Sequence, residues 1–120
     1  MSDKDIYSIF IKQSKKITVT LLKERGKMSN VKRYKAVITG RVQGVGFRIF
    51  ACQKAEELGI TGLVKNMADG TVYLEMQGED SILTKFVDTL KKGNFIIKVE
   101  SFNAKEISSV DEEKAFIIKY

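Results

Sequence analysis

The sequence predicts an α+β fold in which two helices cover one face of an antiparallel sheet. Three observations carry it. Several stretches alternate apolar and polar residues at a period of two, and two others repeat apolar residues at helical spacing. Their order along the chain is strand, helix, strand, strand, helix, strand, with a short extra edge strand at the end.

Residues 34 to 40 (YKAVITG) place Tyr34, Ala36 and Ile38 on one face, as a strand with that face buried would. From Phe47, the positions Phe47, Phe50, Ala51, Ala55 and Leu58 form an apolar helical stripe, and Gly59 stands where such a helix ends. Gly62 to Met67 and Thr71 to Gln77 read as the arms of a hairpin turning at Ala68-Asp69-Gly70. In the second arm Val72, Leu74 and Met76 share one face. Residues 79 to 92 put Ile82, Leu83, Phe86, Val87 and Leu90 on one helical face, with Thr84, Lys85, Asp88 and Lys91 opposite. A last long strand is expected over 95 to 107. Its phase slips between Val99 and Phe102, which predicts a bulge near Glu100-Ser101. FIIKY closes the chain as the edge strand. The whole order is the ferredoxin-like split βαβ arrangement.

Composition excludes several classes of function. At 120 residues, 43% hydrophobic and 30% charged, the chain suits one packed domain. It contains no apolar run long enough to span a membrane, and its first residues lack the organisation of a secretory signal. A cytoplasmic protein with no membrane partner is expected. There is no His, and Cys52 is the single cysteine, so Cys/His zinc sites and Cys-His catalytic pairs are excluded and no metal or cofactor is expected. Cys52 flanks the first apolar stripe and reads as a packing residue. The net charge of +6 is concentrated early: residues 1 to 27 hold seven Lys/Arg against three Asp/Glu, leaving fourteen against twelve in 28 to 120. The nearly balanced remainder carries no paired strand aromatics of the RNA-binding kind, so no nucleic-acid partner is expected.

The densest concentration of chemistry is GRVQGVGFR, Gly40 to Arg48. Gly44 and Gly46 can take positive φ and turn successive backbone N–H groups toward one point, at the start of a helix whose dipole favours an anion. Arg48 brings a five-donor fork to the same junction. A tight turn alone would also account for the glycines, and both readings stand at this point. Arg41, before the turn, reads as a solvated or structural arginine. Asn66, at the end of the first hairpin arm, serves either the local turn or a site shared with Arg48, because the first strand of this fold lies centrally. Asp69 reads as ordinary Asp-Gly turn chemistry; a carboxylate there would repel a bound phosphate.

GRVQGVGFR, the later ELGITGLVKN and DGTV, the glycine before the second helix and the closing FIIKY together resemble the acylphosphatase family over residues 32 to 120. Leu63, Met67 and Gly93-Asn94 depart from its usual pattern. The resemblance implies hydrolysis of the carboxyl-phosphate bond of acyl phosphates. Arg48 and the backbone of Gln43, Gly44, Val45, Gly46, Phe47 and Arg48 would hold the phosphoryl group, and Asn66 would orient the attacking water. The implied partners are a small acyl phosphate and inorganic phosphate, with a monomer expected. A non-catalytic ferredoxin-like module binding an anion or a protein is the alternative. Residues 1 to 27 lie outside the resemblance, as an added strand pair, a flexible tail or translated upstream sequence, with Met28 the expected natural start and 28 to 120 the domain.

Overall fold

The structure, a computed structural model, describes residues 30–120; the expectations for the first 27 residues lie outside them. In chain order the elements are β1 (Val31–Arg41), α1 (Phe47–Leu58), β2 (Thr61–Asn66), β3 (Val72–Glu79), α2 (Asp80–Lys92), β4 (Lys98–Ile107) and β5 (Phe116–Lys119). They form one five-stranded sheet in the order β4-β1-β3-β2-β5. Strand β1 pairs antiparallel with β3 and β4, as does β2 with β3, which is the split βαβ order the sequence predicts. The sheet is not wholly antiparallel, because β5 runs parallel to β2.

Alternation decides which side of the sheet is covered. Tyr34, Ala36 and Ile38 of β1 and Val72, Leu74 and Met76 of β3 are buried against Phe47, Ala51 and Ala55 of α1 and Leu83, Phe86, Val87 and Leu90 of α2. Burying each such side chain contributes about 1.5–3 kcal/mol, enough in aggregate to fix the faces of both helices. Thr84 departs from its expected place on the solvent side of α2. It is buried, and its hydroxyl donates to the Asp80 carbonyl one turn earlier, which satisfies the group without solvent.

The bulge falls where the phase slip puts it. Thr39 pairs with Ser101 and Gly40 with Val99, leaving Glu100 as the extra residue. Strand β4 begins at Lys98, later than expected, since the Asn94 carboxamide accepts the N–H groups of Ile96 and Ile97 and holds that segment as a turn.

Arg33 points away from the helices yet is only 3% exposed. Its guanidinium donates to Glu75 and Gln77 on the neighbouring strand and makes a two-pronged contact with Glu113, 2.8 and 3.2 Å away. Gln77 also exchanges two 2.8 Å hydrogen bonds with the Val110 backbone. The segment between β4 and β5 is thereby strapped over one end of the open face.

Candidate active site

The site grows from the junction of β1 and α1. Val42 is buried and anchors the chain after β1, and the next residues turn sharply, with φ of 74° at Gly44 and 81° at Gly46. A Cβ at either glycine would meet no heavy atom within 4 Å, so the left-handed backbone rather than crowding calls for glycine. Gly46 is the N-cap of α1, with no side-chain capping bond and no acidic residue in the first turn. The first N–H groups of α1 therefore keep their capacity to bind an anion. In α2, by contrast, Asp80 occupies the first turn.

Across from this loop stands the end of β2. Core-side positions alternate along β2 through Gly62 and Val64 to Asn66. Asn66 thus faces α1. Val42, Gly44, Gly46, Phe47, Arg48, Ile49 and Asn66 line one cavity of about 90 Å³. The Asn66 side-chain oxygen is buried there without a hydrogen-bond partner among the described residues. Leaving such an acceptor unsatisfied costs about 1–3 kcal/mol, so its retention calls for an explanation.

Arg48 and Asn66, 18 positions apart in sequence, are brought to the same cavity. Of the loop, Gly44, Gly46, Phe47 and Arg48 line it; Gln43 and Val45 do not. The Gln43 side chain has another role, donating to the carbonyls of Met67 at 2.7 Å and Thr71 at 2.8 Å. It ties the loop to the β2–β3 turn. The sequence alone assigns this residue only a backbone part.

The sequence does not single out Tyr120. Its ring lies 5.0 Å from the Arg48 guanidinium carbon, a cation–π contact. The parallel pairing of β2 with β5 runs to Lys65 opposite Lys119, one residue short of Asn66 and of Tyr120. The signal was the aromatic ending of FIIKY, but its meaning depends on a pairing between distant strands.

Other candidates resolve as structural. Asp69 accepts from the Thr71 hydroxyl and N–H, which hold its carboxyl below the usual range, as in an Asx turn. Arg41 is exposed. Burial, with Glu56 nearby, pushes the Cys52 thiol up, and its Sγ donates to the Phe116 carbonyl, so packing describes it better than reactivity. Among the described residues no three His, Cys, Asp or Glu side chains gather as a metal site would need. No helix of the described residues is long and apolar enough to cross a membrane.

Residues 34–118 match the family described as Acylphosphatase, most of the chain. The chain belongs to the acylphosphatase family. It is 50% identical over 90 residues to the acylphosphatase of Clostridium acetobutylicum, covering 75% of this chain and 99% of that relative. The crystal structure of acylphosphatase from Bacillus subtilis superposes with a TM-score of 0.70 at 36% identity, covering 74% of this chain and 99% of that one. A segment of full-length HypF is also similar, with a TM-score of 0.69 and 31% identity, but it makes up only 13% of that chain. Acylphosphatase membership makes this chain a hydrolase with the ferredoxin-like fold expected from its sequence.

Proposed function

We propose that the protein hydrolyses acyl phosphates to a carboxylate and inorganic phosphate at the cavity between the Gln43–Arg48 loop and Asn66. The observation that carries the reading is the Asn66 side-chain oxygen, buried without a partner in the cavity that Arg48 and the loop glycines line. A positive fork and free helix-start N–H groups on one side suit three phosphoryl oxygens; a lone acceptor on the other suits a water.

The chemistry asks little of the protein's acids and bases. The leaving carboxylate has a conjugate acid of pKa about 4, so it departs with the bonding electron pair and needs no general acid. Water attacks phosphorus and the bond from phosphorus to the acyl oxygen breaks. The proton of the water passes to a phosphoryl oxygen. Asn66 accepts one hydrogen of the attacking water and fixes its direction. The loop amides and Arg48 bind the phosphoryl oxygens and act most strongly where charge builds up in the transition state. A chain without His, whose chemistry is carried by amides and a guanidinium, performs this without a metal ion, and activity should survive chelation.

Steady-state kinetics on benzoyl phosphate, with inorganic phosphate as inhibitor, test the assignment. Arg48→Ala should lower kcat/KM by about 10²–10³ and weaken phosphate inhibition, as loss of a principal oxyanion donor does. Asn66→Ala should lower kcat by about 10² and leave phosphate inhibition near the wild-type value. Wild-type turnover in either variant rejects the role given to that residue.

A further inference from the structure

Large hydrophobic side chains exposed singly on a protein surface are ordinary. Here two of them stand on separate segments beside the cavity: Ile49, in the first turn of α1, lines it, and Tyr120, after β5, lies over Arg48, which lines it too. Ile49 is 59% exposed and lines the cavity beside Arg48, while Tyr120 is 93% exposed and stacks on Arg48. At about 90 Å³ the cavity is far below the about 300 Å³ of pockets that enclose whole ligands. A cavity of this size takes the phosphoryl end, which leaves the acyl end outside it, beside Ile49 and Tyr120.

We infer that Ile49 and Tyr120 form an apolar rim that binds the acyl half of the substrate and selects aromatic or bulky aliphatic acyl phosphates over acetyl phosphate. This rests on the function proposed above. The rim leaves the bond-breaking step unchanged: the acyl group is held against apolar surface while water attacks phosphorus and the carboxylate leaves. Contact with Ile49 and the face of the Tyr120 ring removes apolar area from water, and that area is small for an acetyl group and large for a benzoyl group.

The test compares kcat/KM for benzoyl phosphate and acetyl phosphate, each divided by its uncatalysed hydrolysis rate. The wild type should favour benzoyl phosphate by about tenfold, the discrimination a few apolar contacts supply. Ile49→Ser should lower kcat/KM for benzoyl phosphate about fivefold more than for acetyl phosphate, chiefly through KM, with phosphate inhibition within about twofold of wild type. Ile49→Leu, which keeps the apolar surface, should retain the preference. A wild-type ratio near one, an equal loss on both substrates, or a changed oligomeric state with an unaltered ratio overturns the rim. Failure to hydrolyse either substrate rejects the proposed function instead.

Discussion

The Gln43 carboxamide spends both of its donor hydrogens on carbonyls of the β2–β3 turn, Met67 and Thr71. These bonds join the loop that bears Arg48 to the strand end that bears Asn66, so under the proposed function Gln43 acts as a positioning residue. Gln43→Ala should cost about 1–2 kcal/mol in chemical denaturation, as two modest hydrogen bonds are lost. Its kcat on benzoyl phosphate should fall about tenfold, since small displacements of the reacting groups are expensive. A stability loss with undiminished kcat would limit Gln43 to a structural role. Sequence reading singled out Arg48 and Asn66 through their residue types beside a glycine loop and a turn. The same reading places Gln43 only through its backbone, because a carboxamide's partners are chosen by whichever carbonyls the fold delivers.

Among the elements, the β1–loop–α1 unit depends on glycine for two different reasons. Gly44 and Gly46 hold positive φ with open space around them, so alanine at either should cost only the left-handed backbone, about 1–2 kcal/mol. Gly40, at φ 127°, sits against the β4 bulge; a Cβ there would stand 2.1 Å from the Lys98 carbonyl oxygen and 2.7 Å from the Glu100 nitrogen. Backbone cannot yield as a side-chain tip does, and Gly40→Ala should be the most destabilising of the three substitutions. Thermal unfolding of the set checks that ranking. The slip between Val99 and Phe102 made the bulge legible in sequence; the need for glycine opposite it came only with the pairing of β1 and β4.

The strap across the open sheet face belongs to the whole molecule, for it joins residues up to 80 positions apart. Arg33 is held by Glu75, Glu113 and Gln77 at one end of that face. Burial opposes ionisation of Glu75, but the Tyr73 hydroxyl and the Arg33 guanidinium outweigh it and hold the carboxyl below its usual value. The Tyr73 hydroxyl is itself pushed up to about 12 by burial and its bond to Glu75. A depressed folded pKa makes the contribution of Glu75 complete above the unfolded value of about 4.3 and lost as pH falls through the lower folded value. Stability should therefore drop on acidification below about pH 4, and Glu75→Gln should flatten that dependence in denaturant titrations at several pH values. Arg33→Ala leaves two carboxylates facing each other and should cost about 1–3 kcal/mol, less than for a fully buried pair because both carboxylates keep some solvent contact.

Read alone, the sequence carries local signals and, from their order along the chain, the split βαβ plan. Periods of two and 3.6 marked the strands and helices, a phase slip marked the bulge, and glycines followed by an arginine marked the anion-binding candidate; each depends on residues within a few positions of one another. Long-range packing chose the parallel course of β5 beside β2, the place of Tyr120 over Arg48, the Gln43 brace on the β2–β3 turn and the meeting of Arg33 with Glu113. Those contacts join distant segments, and their partners exist only once the helices have packed and the sheet order has chosen which strand ends become neighbours.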